Sequence, residues 1–248
     1  MSNSHITFMR VALVCIAKDE DNYIEEWLDY HRKLGFDHFF IYQNNWRFNK
    51  DFTDVTKFKF DGYLQQLKSY NHFISSNYWN WDWVAFFDVD EFLVLKKHNN
   101  IKDFLIDYND FNAVGVNWVY FGDNNLSEVT EWSVVKRFTM RQSNPYRAIK
   151  SIVRLSKGGE SPKFISNPHN INLDWVDTHK RINTGPSTKE SSDDIAQLNH
   201  YYCKTIKEFR LKCERGRACS QNILTDDDFK HGNYNEVEDL SALKLLIS

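Results

Sequence analysis

Apolar positions in the first part of the chain form short continuous runs that alternate with helically spaced ones. Residues Val11–Ala17 are all apolar, which is typical of a strand that is covered on both faces. From Ile24 to Leu34 the large apolar residues recur on one helical face, and Gly35 is suited to end that helix. A second strand-like run lies within 36–45. We therefore predict a β-α-β unit with parallel strands and a right-handed crossover.

The rest of the pattern predicts further elements of an α/β fold. A weak strand is expected over Val55–Phe60 and another strand over Val84–Phe87, with a helix between them and a short helix after residue 100. Residues 113–202 contain short apolar runs separated by turns, which predict strands, including one over Trp132–Met140. Helical spacing returns after Thr205. Because the sequence contains no repeat or linker-like stretch, we predict a single domain over residues 1–248.

Composition excludes several classes of protein. Hydrophobic residues make up 42% of the sequence and aromatic residues 16%, with only 4 Pro, which indicates a well-packed globular chain. A net charge of −3 provides no basic footprint, so we expect no nucleic acid partner. The four cysteines lack metal-ligand spacing, and no apolar stretch approaches the ~20 residues of a transmembrane segment. We expect reduced thiols and a cytoplasmic location, with peripheral association at the inner face of the membrane as a further option.

The stretch VAFFDVDEFLVL places acidic residues inside an apolar run. Asp88, Asp90 and Glu91 lie between Val84–Phe87 and Phe92–Leu95. Burial of a charge is costly unless the charge is paired or coordinated, so these acids need an explanation. They either cap the next segment and face water, or act as nucleophile and acid/base in a phosphatase of the haloacid dehalogenase type, or hold a divalent cation.

The third interpretation fits Mg²⁺ and Mn²⁺, which bind through a few carboxylates together with substrate phosphates. In an extended segment Asp88 and Asp90 would point the same way, and we predict both as metal ligands. They follow a predicted strand, and open α/β sheets bind ligands at the carboxyl ends of strands. His200 is the first candidate for a further ligand and His169 is the alternative, whereas a satisfied core histidine is the competing interpretation.

Several blocks of the sequence occur in the same order as blocks of a known enzyme group. CIAKDEDNYIEEWLDYHRKLGFDHFFIYQNN contains K-[ND]-E, E-W-x-x-Y-H and I-Y-[DQ]-N patterns, and WDWVAFFDVDEFL contains a D-x-D motif. NWVYFG and LNHYYCKTIKEFRLKCERG complete the match, which touches most of residues 11–217. In these blocks the chain resembles family-92-like and family-2-like glycosyltransferases. The resemblance implies the GT-A fold, with a Rossmann-like half followed by a mixed sheet and C-terminal helices.

The same resemblance implies metal-dependent, inverting transfer of a hexose from a nucleotide-diphosphate sugar, with UDP-hexose favoured. The acceptor would be a glycan or glycolipid of lipopolysaccharide, capsule or another surface polysaccharide, and the cofactor Mn²⁺ or Mg²⁺. Residues 1–112 would bind the nucleotide sugar, 113–204 would face the acceptor, and 205–248 would form C-terminal helices. The alternative is a catalytically inactive sugar-binding or scaffolding protein of this fold. The phosphatase fits less well because Phe92 stands where those enzymes usually carry Thr or Val.

Further candidate residues lie at predicted strand ends and in the second half of the chain. The expected nucleotide-sugar-binding residues are Lys18, Asp19, Glu20, Asn44, Asn45, Asp88 and Lys204. An inverting transfer needs a base for the acceptor hydroxyl, and the candidate catalytic bases are Asp123, Asp174 and Asp177. Trp118 and Phe121 are the candidate acceptor-binding residues, with core packing as the competing interpretation.

Overall fold

The computed structural model describes residues 9–76, 80–155, 164–169, 172–216 and 224–247. Its strands are β1 (Val11–Ala17), β2 (His38–Gln43), β3 (Val55–Lys59), β4 (Trp83–Phe86), β5 (Glu91–Leu95), β6 (Ala113–Tyr120), β7 (Met140–Arg141), β8 (Ile149–Arg154), β9 (Trp175–Val176), β10 (Ile182–Asn183), β11 (Ala196–His200) and β12 (Val237–Glu238). Its helices are α1 (Ile24–Lys33), α2 (Gln66–Ser75), α3 (Ile101–Ile106), α4 (Val134–Arg137), α5 (Ile206–Arg215), α6 (Asp226–Gly232) and α7 (Ser241–Ile247).

One large mixed sheet organises the described residues. Its strand order is β10-β9-β6-β8-β4-β1-β2-β3, and β11 joins it by pairing with β6 and β5. β1 pairs in parallel with β2 and β4, and β2 pairs in parallel with β3. β8 lies antiparallel between β4 and β6, whereas β11 runs parallel to β6. The predicted architecture, a parallel β-α-β opening followed by a mixed half, is confirmed.

β1 shows why an uninterrupted apolar run suits the centre of this sheet. Its residues alternate between two buried cores, with Val11, Leu13, Cys15 and Ala17 in the first and Ala12, Val14 and Ile16 in the second. Trp27 on α1 belongs to the first core, and Phe73 on α2 belongs to the second. The two helices therefore cover opposite faces of the sheet, which leaves no face of β1 in contact with solvent.

Residues 132–140 form the short helix α4 and the start of β7, so the prediction of a strand over Trp132–Met140 is wrong. The Ser133 hydroxyl accepts a hydrogen bond from the backbone N–H of Lys136 at 3.2 Å. The carboxylate of Glu26, on α1, accepts one from the backbone N–H of Val134 at 2.8 Å. These side chains satisfy the free N–H groups at a helix start. Because Glu26 is remote in sequence, the local pattern did not reveal its contribution.

The acidic segment after β4 is a tight turn, and the prediction that it is extended is wrong. The backbone N–H of Glu91 donates to the carbonyl of Asp88 at 3.0 Å, and the backbone N–H of Asp88 donates to the Glu91 carboxylate at 2.8 Å. Glu91 then begins β5, which pairs antiparallel with β11. The Glu91 side chain closes the turn and thereby stabilises it.

Among the described residues, no helix is long and apolar enough to span a membrane.

Candidate active site

A cavity of about 340 Å³ lies at the carboxyl edge of the central strands. β1, β4, β6 and β11 run in one direction and end at this edge, while β8 runs the opposite way and begins there. The cavity is lined by Ile16, Lys18, Glu20, Gln66, Asp88, Val89, Asp90, Trp118, Tyr120, Lys150, Pro168, His169, His200, Tyr202, Lys212, Arg215 and Gly216. Four of these side chains are cationic and three are carboxylates, so the wall suits an anionic ligand.

Asp88 is held by side chains from α2 and β8. Gln66 Nε2 donates to its Oδ1 at 2.9 Å, and the Tyr70 hydroxyl lies 3.5 Å from the same oxygen. Lys150 Nζ donates to its Oδ2 at 2.8 Å. The Asp88 side chain is 31% exposed and lines the cavity. The sequence pattern pointed to Asp88 but not to Gln66 or Lys150, although a lysine inside the apolar stretch AIKSIVRL was an available signal for Lys150.

Lys150 and Glu91 form a buried pair beside Asp88. Lys150 Nζ lies 3.5 Å from Glu91 Oε2, and the two side chains are 1% and 0% exposed. Burial lowers the pKa of Lys150, but the carboxylates of Asp88 and Glu91 outweigh burial and hold that pKa well above its usual value. Burial raises the pKa of Glu91, and the ammonium of Lys150 offsets only part of that rise. Lys150 therefore supplies a positive charge to the cavity at neutral pH.

Asp90 is held by residues of β11 and α5. Lys212 Nζ donates to its Oδ2 at 2.7 Å, and His200 Nε2 lies 3.6 Å from its Oδ1. Burial raises the pKa of Asp90, but the Lys212 ammonium and the nearby His200 outweigh burial and hold the pKa well below its usual range. Burial lowers the pKa of His200 despite the neighbouring Asp90 carboxylate. Asp90 is therefore ionised, and the imidazole of His200 is neutral at pH 7.

Reciprocal hydrogen bonds join the Lys18–Glu20 segment, which follows β1, to the end of α5. Arg215 Nη2 lies 2.6 Å from Glu20 Oε1, and Arg215 Nη1 donates to the carbonyl oxygens of Lys18 and Asp19. Lys18 Nζ in turn donates to the carbonyl oxygen of Arg215. Glu20 Oε2 is buried and has no hydrogen-bond partner among the described residues. An acceptor atom is therefore left for a ligand hydroxyl or N–H group.

Aromatic rings and two imidazoles form another wall of the cavity. The Trp118 ring centroid lies 4.5 Å from that of His200 and 4.8 Å from that of His169, and Tyr120 stacks on His200 at 5.1 Å. Burial and the nearby Lys150 ammonium lower the pKa of His169 to about 4. Within the described ranges the Trp118 Nε1 atom and the Nδ1 atoms of both histidines have no partner. This wall therefore presents ring faces to a ligand, and its buried nitrogens have hydrogen-bonding capacity that the described residues leave unused.

Some predicted binding residues lie outside the described lining of the cavity: Asp19, Asn44, Asn45, Lys204 and Phe121. Asn44 and Asn45 bind backbone groups of the 60–62 turn. Lys204 Nζ lies 3.7 Å from the ring centroid of Tyr23, and burial lowers its pKa. Phe121 is fully buried in the first core, so core packing accounts for it.

The three candidate bases are not among the described residues that line the cavity. Asp177 is buried, and its carboxylate accepts hydrogen bonds from Arg181 Nε at 2.7 Å and from backbone N–H groups. The Asp123 carboxylate accepts one from Asn235 Nδ2 at 2.9 Å, while Asp174 is exposed. Asp177 and Asp123 are thus occupied by local structural contacts.

The candidate metal ligands Asp88, Asp90, His200 and His169 all line the cavity and offer the oxygen and imidazole donors that Mn²⁺ accepts. In the part of the chain that the structure describes, however, no three Asp, Glu, His or Cys side chains are grouped to hold an ion unaided. The residues therefore fit an incomplete metal site, in which phosphate oxygens of a ligand supply the remaining donors. That arrangement is usual for Mg²⁺.

Comparison with family models connects this cavity to known proteins. The model described as glycosyltransferase family 92 matches residues 12–237. The chain belongs to glycosyltransferase family 92. The resemblance inferred from the sequence blocks is therefore confirmed, and every described residue that lines the cavity lies within the matched range.

Curated relatives carry the same family description. A family 92 glycosyltransferase protein of Arabidopsis thaliana is 27% identical over 226 residues, which cover 78% of this chain and 35% of that protein. A family 92 protein of Oryza sativa subsp. japonica is 24% identical over 212 residues, which cover 80% of this chain and 34% of that protein. The chain thus spans about a third of the length of these relatives.

Solved structures show a more distant similarity. The S. aureus protein TarS, in complex with UDP-GlcNAc, matches with a TM-score of 0.37 and 14% identity over 59% of this chain and 46% of that one. The galactosyltransferase LgtC, in complex with donor and acceptor sugar analogs, matches with a TM-score of 0.32 and 10% identity over 58% of each chain.

Proposed function

We propose that this chain transfers a hexose from a nucleotide-diphosphate sugar, with UDP-hexose favoured, to a glycan acceptor. The observation that carries the proposal is the meeting of Asp88 and Asp90 with four cationic side chains in one cavity at the carboxyl edge of the sheet. Membership of family 92 supports glycosyl transfer over the phosphatase alternative. The presence of both Asp88 and Asp90 together with the four cationic side chains supports an enzyme over a catalytically inactive sugar-binding protein, because sugar binding alone does not require these charges.

The cationic side chains suit the diphosphate of the donor. Lys18, Lys150, Lys212 and Arg215 line the cavity and can offset the charge that grows on the nucleotide as it leaves. Glu20 Oε2, which is buried without a partner in the described residues, can accept a hydrogen bond from a ribose hydroxyl or from a base N–H group. These contacts would orient the donor with its sugar toward the aromatic wall.

We further propose Mn²⁺ or Mg²⁺ as the cofactor, held by Asp88 and Asp90 together with the phosphate oxygens of the donor. His200 would be the third protein ligand, because its neutral imidazole lies 3.6 Å from Asp90, and His169 is the alternative. When bound, such an ion acts as a Lewis acid that stabilises negative charge on the departing diphosphate. The chain's own part is to place the Asp88 and Asp90 carboxylates together at the wall of the cavity.

On the acceptor side, Trp118 and Tyr120 present aromatic faces that suit stacking on a sugar ring. For inverting transfer in one displacement, a base must take the proton of the acceptor hydroxyl. Asp123, Asp174 and Asp177 do not reach the described cavity lining, so we assign this role to His169, which lines the cavity and whose lowered pKa keeps its imidazole neutral at pH 7. In this assignment His200 takes the place beside the metal.

We place this activity in the synthesis of lipopolysaccharide, capsule or another surface polysaccharide, with a glycan or glycolipid acceptor. A cytoplasmic setting, at the inner face of the membrane when the acceptor is a glycolipid, suits the free thiols of Cys15 and Cys203.

The direct test is thermal unfolding with UDP or GDP, each with and without Mn²⁺. UDP with Mn²⁺ should raise the melting temperature, since a ligand at 100 times its Kd stabilises the folded state by about 2.7 kcal/mol. Asp88→Asn with Asp90→Asn should abolish this shift. A panel of nucleotide sugars, assayed for metal-dependent hydrolysis, would then identify the donor. If neither nucleotide raises the melting temperature in the presence of Mn²⁺, the proposed function is wrong.

A further inference from the structure

The two oxygens of Asp88 are held in chemically different ways. Oδ1 accepts from Gln66 Nε2 at 2.9 Å, with the Tyr70 hydroxyl at 3.5 Å, and both of these donors are neutral. Oδ2 accepts from the ammonium of Lys150 at 2.8 Å. The neutral donors can therefore keep Asp88 in place when its cationic partner moves away.

Lys150 and Lys212 also differ in what holds them. Lys212 Nζ binds Asp90, donates to the carbonyl oxygen of Tyr202 at 3.2 Å and lies 4.3 Å from the Tyr202 ring centroid. In the described part of the chain, the ion-pair partners of Lys150 are the carboxylates of Asp88 and Glu91. If a cation took its Asp partner, Lys212 would keep the Tyr202 carbonyl and ring, whereas Lys150 would lose its 2.8 Å hydrogen bond and its flexible four-carbon stem could carry the ammonium to a new anion.

We propose that Lys150 is an exchangeable counterion: it neutralises Asp88 in the ligand-free chain and transfers to the donor diphosphate when a divalent cation binds Asp88. The inference rests on the proposed function, since it requires a metal and a diphosphate in the same cavity. A cation that approaches Asp88 Oδ2 competes with the ammonium and repels it. Lys150 is one of the residues that line the cavity, so a released ammonium has only a short distance to move to reach a diphosphate bound there.

The exchange makes metal and nucleotide binding depend on each other. Without nucleotide, a divalent cation must displace Lys150 from Asp88 with no new partner for the ammonium. Without metal, Lys150 stays on Asp88 and contributes little to the diphosphate. With both ligands present, Asp88 is paired with the cation and Lys150 with the diphosphate, and by linkage each ligand strengthens the binding of the other by the same factor. Lys150 is thus a positioning residue that couples the two ligands.

The test is calorimetric titration of Mn²⁺ alone, UDP alone and UDP in saturating Mn²⁺ against wild type and Lys150→Met. The variant should bind Mn²⁺ alone at least tenfold more tightly, because no ammonium competes, and the factor by which Mn²⁺ strengthens UDP binding should fall at least tenfold. Lys57→Met removes a lysine that pairs with Asp51 away from the cavity, and should leave each affinity unchanged. A merely structural role for Lys150 would not increase the affinity for Mn²⁺.

Lys150→Met leaves two carboxylates without their cation, and Lys150→Met with Glu91→Gln provides a second variant in which one of those charges is removed. The titration can be carried out with either variant, provided that the variant is folded. Affinity for Mn²⁺ alone that is unchanged or weaker in a folded variant, while wild type binds UDP with Mn²⁺, overturns the inference and leaves the proposed function standing. Failure of wild type to bind UDP or GDP with Mn²⁺ overturns both.

Discussion

Two buried ionic clusters in this chain differ in how completely their charges are satisfied. In the first, Arg137 donates to both carboxylate oxygens of Glu208 at 2.9 and 2.7 Å, and the side chains are 1% and 5% exposed. The Thr205 hydroxyl and the Tyr23 hydroxyl donate to the same carboxylate at 2.6 and 2.7 Å. Both carboxylate oxygens therefore have several donors, and a planar guanidinium fixes their geometry.

The second cluster, of Lys150, Asp88 and Glu91, is incomplete. Its cation is a lysine, Glu91 Oε1 has no partner among the described residues, and the Asp88 side chain is 31% exposed to the cavity. In the Arg137–Glu208 cluster both carboxylate oxygens are occupied, and the atom without a partner among the described residues is a buried guanidinium nitrogen, Arg137 Nε, so the acid has no free oxygen to offer a ligand. A cluster with an exchangeable cation and an exposed carboxylate can take part in binding. The first cluster is therefore suited to a structural role, and the second has the exposed carboxylate that the proposed ligand binding requires.

The largest expected effect tests the structural cluster. Arg137→Met should lower the free energy of unfolding by about 3–5 kcal/mol, because it leaves the Glu208 charge buried without its cation. Arg210→Met is the matched control, since Arg210 and Asp226 form an exposed pair whose loss should cost at most about 1 kcal/mol. Urea unfolding at pH 7 measures both. Equal costs for the two variants would contradict the distinction between the clusters.

Acidification should reduce that cost. Burial raises the pKa of Glu208, but hydrogen bonds from Arg137 and Thr205 outweigh burial and lower the pKa from the usual 4.5 to about 2. A folded-state pKa that is lowered gives stability that is present above pH 4.5 and is lost as the pH falls toward 2. The difference in stability between wild type and Arg137→Met should therefore shrink at pH 3, where urea unfolding would show it. A constant difference would exclude Glu208 as the source.

The next effect tests the candidate active site. Asp90→Asn keeps the shape of the side chain but removes the charge that would hold a cation, so turnover of the nucleotide sugar should fall at least ~100-fold, about 2.7 kcal/mol in the barrier. The melting temperature should also fall, because the amide leaves the Lys212 ammonium without its carboxylate partner, so turnover is compared at a temperature where the variant is folded. Asp226→Asn, an exposed acid on α6, is the control and should retain turnover. Full turnover of Asp90→Asn in the presence of EDTA would exclude the metal role.

The smallest effect sharpens the assignment of the two histidines. His200→Ala should weaken UDP binding in Mn²⁺ by about tenfold, or 1.4 kcal/mol, and leave the melting temperature of the ligand-free protein within about 5 degrees. His169→Ala is the matched variant and should lower turnover while leaving this affinity unchanged. If His200 is instead a satisfied core histidine, the ligand-free protein should lose about 1–3 kcal/mol of stability with little change in affinity. Calorimetry and thermal unfolding of both variants separate these outcomes.

Several elements were predictable because their signals are local. The apolar run of β1 and the capping box of α5 follow from residues that are neighbours in sequence. In that box the Glu208 backbone N–H donates to the Thr205 hydroxyl, and the Glu208 carboxylate accepts from the Thr205 backbone N–H. Asp88 and Asp90 stood out because acids inside an apolar run are costly, and both line the cavity.

The cations of the site were much harder to predict. Lys150 binds Asp88 across 62 residues, and Arg215 binds the Lys18–Glu20 segment across 197 residues. Nothing in the residues around Lys150 indicates which acid it will meet, because that depends on β8 pairing between β4 and β6. The candidate bases also lie outside the described cavity lining, because the position of each one depends on how distant strands pair and not on its neighbours in sequence. Asp177 looked available in the sequence, yet it is occupied by Arg181 and nearby backbone N–H groups.

The sequence by itself determined the α/β class, the order of most elements, the acidic pair and membership of the enzyme family. Those properties depend on backbone periodicity and on residue blocks, which act over a few positions along the chain. Only the tertiary structure decided which acids face a cavity, which cations neutralise them and which polar atoms remain unpartnered. These features arise where strands distant in sequence share one edge of a sheet. Electrostatic energy there depends on distances and burial that no local pattern encodes.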